Sequence, residues 1–405
     1  MTARAVLLSS VATAALMGPA MALDAQAFVD RFTEVYKTAG YDFQFGPATL
    51  NGDTITVAGG QVSFTPDEPM VFDTEVTFSG VVENADGSYT ADSVTIPDID
   101  TDFESDPVGH ITISDIRVDG LYLPAGNPVS AVGLAQLYES FSTGPVSVTR
   151  DGVELFSIES IEAGSDFLPE FATTELASMS SGFAVNGITA DLSSVGEEDP
   201  AAAEVIDALG LTTINGNIYA SVDWSTADGR LTMGEFSFDF ADVGMLNIKA
   251  DLTGLTTTVL DQLYAMQAQM GDAEMTEEQA QAQMMSGMAL MQGVSIVSAS
   301  VRYDDASLAG KLLDFYAAQS GADRAAFVEG LKAMLPAMLA ETGIPALTDI
   351  VVPPVSAFLD DPKSLEVKVA PPSPTSLLVL MAAAANPAGL ITALGFGVEA
   401  NTAAQ

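Results

Sequence analysis

Residues whose type and spacing could do chemistry are gathered in a few places in this chain. Asp98, Asp100, Asp102, Glu104 and Asp106 occupy alternate positions of residues 97–106, and the lone histidine, His110, follows them. On a strand alternate residues share a face, so five carboxylates would crowd together. Hard oxygen ligands of that kind suit calcium, but the run departs from a calcium loop. Its sixth position is Phe103 rather than Gly and its twelfth is Gly109 rather than Glu. The plainer reading is a solvated strand face with Ile99 and Phe103 turned inward. His110 could serve as a base beside a serine, but no Ser/Asp constellation is legible around it, and a capping or surface role fits it better.

The second gathering is of methionine: Met266, Met270, Met275, Met284, Met285, Met288 and Met291 are seven of the chain's 17. Adaptable thioethers line apolar grooves, bind Cu(I) or fill cores. Copper sites tend to add His or Cys, and neither is near. Met284, Met288 and Met291 have the spacing of a helix packed on a sheet. No signature of a nucleophile elbow, a zinc protease, a P-loop or a dinucleotide fold is present. The 55 acids supply candidates for a hydrolytic carboxylate pair and identify none. The single Trp224 offers little platform for sugars. No catalytic, cofactor-binding or metal-binding residue is assigned, and no cofactor is implied.

The elements that would position these residues are legible from period and punctuation. Asp24 caps a helix with Phe28, Phe32 and Val35/Tyr36 on one stripe, running to about Thr38 and closed by Gly40. From Tyr41 the period falls to two, with strands expected at 54–57, 62–64, 71–82, 93–96 and 111–114. Seven Asn-Gly or Asp-Gly pairs, at 51–52, 86–87, 119–120, 151–152, 186–187, 215–216 and 228–229, predict tight hairpin turns. In residues 230–240, paired with 245–252, Phe236, Phe238 and Phe240 share one face and Ser237 and Asp239 the other. One side is greasy and the other wet. Helices are expected at 129–141 behind Asn127-Pro128, at 200–209, and over 256–291 with a break at Gly271-Asp272 and a capping box restarting it at Thr276. After a strand at 296–303, Asp304/Asp305 and Asp323 each cap a helix, the second kinked by Pro336. Residues 376–385 and 388–394 are apolar but broken by proline, and read as two short buried helices rather than a membrane span.

Residues 1–22 read as a secretory leader: Arg4, an uncharged apolar stretch over 5–17, a Gly18-Pro19 break, and Ala20-Met21-Ala22 before a cut after Ala22. The address is periplasmic. With 13 bases against 55 acids the net charge is −42 and the deficit lies in Lys and Arg. That excludes nucleic-acid binding through a basic surface and argues against electrostatic docking on anionic lipid. It also suggests a saline habitat, in which an anionic surface keeps protein soluble. Zero cysteines exclude disulfide scaffolds, thiolate metal sites and cysteine nucleophiles. With 48% apolar residues the chain can bury a sizeable core.

Residues 231–255, residues 358–372 and residues 394–401 resemble uncharacterised secreted or inner-membrane-anchored proteobacterial proteins with long antiparallel sheets. The likeness spans most of residues 24–401. These sheets are distantly similar to envelope proteins of the AsmA kind, and the resemblance implies lipid handling. It carries over no site residue, and a cleavable leader stands here where those proteins have an anchor.

The sequence therefore points to an α+β, mainly β protein. A long antiparallel meander carries helices packed on one face and ends in a helical C-terminal third. One domain is expected over 23–405, with a lobe boundary near 196–205. The function expected first is non-enzymatic binding of a lipid-like or apolar ligand by the Phe236/Phe238/Phe240 face and the Met-rich helices. Alternatives are a structural or interaction protein of the envelope and a carboxylate-dependent hydrolase.

Overall fold

The computed structural model describes residues 23–63, 70–103, 105, 107–126, 130–172, 176–195, 199–270, 277–383 and 387–403. Helix α1 (Ala25–Thr38) opens the fold as its sequence prescribes: the Asp24 carboxylate accepts the backbone N–H groups of Gln26 and Ala27. The left-handed Gly40 follows its end. Two short strands, β1 (Asp42–Phe45) and β2 (Ala48–Asn51), pair along β3 (Thr54–Ser63), which merges the strands expected at 54–57 and 62–64. The meander continues through β4 (Met70–Ser79), β5 (Val82–Glu83), β6 (Tyr89–Ile96), β7 (Ile99–Phe103), β8 (Gly109–Ile113) and β9 (Ile116–Leu123). Next come β10 (Tyr138–Thr143), β11 (Val146–Arg150), β12 (Val153–Ile158), β13 (Ser160–Leu168) and β14 (Ser178–Asp191). The last long strands are β15 (Thr213–Ser225), β16 (Arg230–Phe240), β17 (Gly244–Thr253) and β18 (Ser295–Asp305). Three short ones, β19 (Ser364–Val369), β20 (Thr375–Ser376) and β21 (Gly397–Ala400), finish the edge. All join one antiparallel sheet. The fold is α+β and mainly β.

Several consecutive pairs are halves of one long strand broken by a bulge. Thus β8 and β9 together oppose β10 and β11, from Arg150 against Gly109 to Tyr138 against Leu121. The breaks line up across the sheet as a crease. At it Asp98 accepts the backbone N–H of Asp115, Gly144 N–H donates to Ser114, and Glu159 N–H donates to Asn186. Only four of the seven Asn-Gly and Asp-Gly pairs make turns between strands: 51–52, 86–87, 151–152 and 228–229. The pairs 119–120, 186–187 and 215–216 lie inside β9, β14 and β15. Gly120 and Gly187 still have positive φ there, the geometry a bulge shares with a turn.

The helices enter at the two ends of the strands. At one rim are α2 (Ala131–Ala135), α4 (Thr257–Met270), α5 (Glu277–Gly293), α9 (Leu377–Ala383) and α10 (Pro387–Leu394). At the other are α3 (Pro200–Leu209), α6 (Leu308–Gln319) and α7 (Arg324–Ala340), while α8 (Pro345–Asp360) packs along β21 and β19 and touches α10. Caps form at Asp199 and Asp323, and Asp305 accepts the backbone N–H of Ala309. The helix expected at 129–141 shrinks to α2, capped by Ser130, because residues 138–143 pair with strands on both sides. Ladder bonds on two edges override a local helical pattern. The two tail helices are short, as expected, but the first is not buried, since Val379 and Met381 are exposed, and the second is half-buried. The leader 1–22, Glu104, Asp106, Asn127-Pro128, residues 196–198, the break at 271–272 and Thr276 lie outside the described residues. Residues 199–209 connect β14 to β15, which pair with each other on either side of them.

The core is built where α1 crosses the first strands. Phe28, Phe32 and Val35 pack on Ile55, Val57, Val76, Phe78, Val94, Leu121 and Leu123. Phe28 meets Phe78 edge-on at 5.1 Å between ring centres.

Candidate functional site

Register and alternation give the sheet two unlike faces. On one, Leu50, Ile55, Phe78, Val94, Val118, Phe141, Ala163, Phe183, Ala220 and Phe236 stand in one row across ten strands. A second row runs Ile161, Val185, Ile218, Phe238, Leu246, Tyr303 and Leu365. On the opposite face the row is Arg117, Ser142, Glu162, Ala184, Tyr219, Ser237, Asn247, Arg302, Glu366 and Glu399. Glu162, Glu366 and Glu399 lie there, as alternation demands.

The apolar face is sealed at its α1 end, and Val185 and Trp224 are buried elsewhere on it. Beyond Leu134 and Leu137, which close on the core, a cavity of about 350 Å³ opens. Leu134, Ala135, Leu137 and Tyr138 border it, and its floor is Ala163, Ser165, Met179, Ser181, Phe183, Ala220 and Val222. Phe183 is 40% exposed at its centre, and Val301 and Val367 continue the bare surface further along. The size and the apolar lining are those of a small-molecule pocket. A roof over one side comes from α2, held when the Asp261 carboxylate of α4 accepts the Ala131 N–H at 2.6 Å. Under the floor the sheet is thin. Gly164 and Gly182 face each other, and a cavity of about 610 Å³ opens on the polar side, bordered by Ser140, Ser142, Glu162, Tyr219 and Glu235.

Phe236, Phe238 and Phe240 share the apolar face as expected, half-buried, with Phe236 and Phe238 at 4.8 Å. Close neighbours at Phe240 are both glycine: a Cβ on Gly216 would strike its ring. The wet side is not uniformly wet, because Ser237 is fully buried and donates to Glu235 at 2.9 Å. Three of the Met-rich positions correct the core-packing reading: Met284, Met285 and Met288 face solvent from α5. The side chains of Met270, Met275 and Met291 lie outside the described residues. Trp224 is buried and donates its indole N–H to Leu255 O at 2.9 Å.

The acidic run does not converge on a point. Asp98 is taken up by the crease, while Asp100 and Asp102 flank His110, whose Nε2 and Nδ1 lie 3.2 and 2.8 Å from them. Among the described residues no three acidic or imidazole groups gather to hold a metal ion. Phe103, expected to turn inward, is exposed and lies against Gly109.

On the polar face Arg302 is the most enclosed base. Its guanidinium reaches Asp304 at 2.6 Å, Thr402 O at 2.7 Å and Glu366 at 3.6 Å. Its pKa is raised, chiefly by the hydrogen bond it donates to Asp304. Burial first, and then Asp305, push the Tyr303 phenol well up.

What sequence reasoning missed is the cavity itself. Phe183 reads only as a strand residue until register places it beside Ala163 and Ala220. Residues 237–401, from within β16 to just past β21, match a protein-family model described as "Uncharacterized protein", and no curated protein matches the chain.

Proposed function

We infer that this protein holds a lipid-like chain on the bare apolar face of its sheet and acts as a binding protein rather than an enzyme. The carrying observation is the cavity between α2 and the Ala163–Phe183–Ala220 floor, with a large aromatic side chain left uncovered at its centre. Apolar area exposed at this scale is stabilised by an occupant. Lipid handling is also what the resemblance to AsmA-type envelope proteins implies. The setting we infer is extracytoplasmic. Leu23, the residue after the expected cut, packs against the core, and Asp24 caps α1.

The test is a chain expressed with residues 1–22 in place and purified without detergent. N-terminal sequencing should return Leu23 as the first residue. Native mass spectrometry should show a lipid adduct, and a fluorescent fatty-acyl probe should bind. Ala220→Trp, which fills the cavity, should weaken the probe by at least about tenfold. A chain without adducts and without affinity for the probe would sink the reading.

A further inference from the structure

Charge is missing from one part of this molecule. Residues 279–301 and 369–398 contain no Asp, Glu, Lys or Arg, in a chain that carries 55 acids and 13 bases elsewhere. The fold brings these two stretches together, because α5 packs on α9 and on β20. The side chains they turn outward are Met284, Met285 and Met288 of α5 and Val379 and Met381 of α9, each between 41% and 66% exposed. A helix facing water ordinarily presents charge on that side. A contiguous uncharged apolar patch marks a contact surface. It lies at the rim that also holds α2, with α4 touching both α2 and α5, so it is continuous with the wall of the apolar cavity.

Charge also selects the occupant. A second copy of this chain would bring another −42 to the contact. An anionic lipid surface would be repelled in the same way. A basic protein would find its complement on the acidic face, not on these helices. An uncharged and deformable surface, zwitterionic lipid, meets neither objection. Unbranched thioethers adapt to such an irregular surface. Among the described residues no helix is long and apolar enough to cross a membrane, so the contact is interfacial.

We propose that the α5–α9 rim rests on a zwitterionic lipid surface and sets the cavity beside it. The proposal rests on the lipid reading of the cavity, and its test separates the two. The full chain is floated with phosphatidylcholine vesicles and with vesicles of equal parts phosphatidylcholine and phosphatidylglycerol. It should float with the first and more weakly with the second at low salt. Met284→Asp, Met288→Asp and Met381→Asp should each reduce flotation about tenfold, with circular dichroism and acyl-probe binding in vesicle-free buffer unchanged. A wild-type chain that stays at the bottom overturns the proposal, as do Asp variants that float undiminished or stronger binding to the anionic vesicles. A dimer in sedimentation equilibrium that Met288→Asp dissolves would assign the patch to a second copy instead. Probe binding kept while flotation fails removes the dock and leaves the cavity reading. Flotation kept while probe binding fails does the reverse.

Discussion

One row of side chains crosses the apolar face from Ile55 to Phe236, and its two ends are treated differently. At the first end α1 lies on the strands, and Ile55 and Phe78 are 0% and 1% exposed. Phe32 alone touches Tyr36, Phe43, Phe45 and Phe78, a network of edge-on and stacked rings. At the other end the row reaches Phe183, 40% exposed, with the same alternation and unbroken register. The strands are alike; the cover is not. Alternation specifies that a sheet has an apolar face, but only the placement of helices decides whether that face becomes core or surface. Here the helices inserted after β14 and β17 leave Phe183 uncovered, and α8, inserted after β18, packs on β21 and β19 instead. Charge divides the chain elsewhere, since both ends of this row lie within the acidic strand-rich body. Residues 38–301 carry 41 acids and 4 bases, a balance of −37, while residues 302–405 carry 11 and 6, a balance of −5.

Matched truncations would break or sharpen this contrast most. Phe28→Ala removes a fully buried ring from the sealed end and should cost about 3–5 kcal/mol in urea unfolding. Phe183→Ala removes a ring that already meets water and should cost less than about 1 kcal/mol, while weakening the acyl probe. Equal losses in stability would mean that both ends are core, and the comparison would fail.

Glycines give a smaller test of the same idea. Gly216 lies against the Asp239 carbonyl and the Phe240 ring, too close for any Cβ. Gly216→Ala should therefore force the backbone to shift and cost about 1–3 kcal/mol. Gly182, in the thin floor, has nothing within contact of a Cβ. Gly182→Ala should be neutral or slightly stabilising, by up to about 0.5–1 kcal/mol, since strand glycine is entropically costly. Thermal melts of the two variants give the order directly.

The sealed end was legible in sequence and the open end was not, for physical reasons. A capping aspartate and a Phe28/Phe32/Val35 stripe specify α1 locally, and the ring cluster follows from it. Asn-Gly and Asp-Gly pairs specify positive φ, not a reversal of direction; four made turns, and three satisfied the same requirement or a close approach within strands. Residues 138–143 carry a helical pattern that two neighbouring strands outcompete. Phe183 has no local signal at all, because its exposure depends on helices inserted after β14, β17 and β18 and on where they settle. The Met-rich helix was legible as a helix, but the solvent-facing side of Met284, Met285 and Met288 was not.

The open end also has an anchor whose contribution can be measured by pH. Tyr303 stands in the second apolar row, and its hydroxyl lies 2.6 Å from Val243 O and 2.8 Å from the Asp305 carboxylate, sharing one proton between them. Asp305 also accepts the Ala309 N–H and so ties β18 to the start of α6. Burial and the neighbouring carboxylate raise the phenol above its ordinary value near 10. A group raised on folding contributes stability that is complete below its unfolded pKa and is lost as pH rises through the folded one. Tyr303→Phe should cost about 1 kcal/mol at pH 7, since two acceptors lose their donor. Above pH 10 the gap should narrow, because the wild type loses the Tyr303 contribution and the variant has none to lose. Tyr36 and Tyr89, raised by burial at the sealed end, keep a common alkaline slope in both proteins. A gap that stays constant from pH 7 to pH 11 would show that the Tyr303 proton does not hold this rim together.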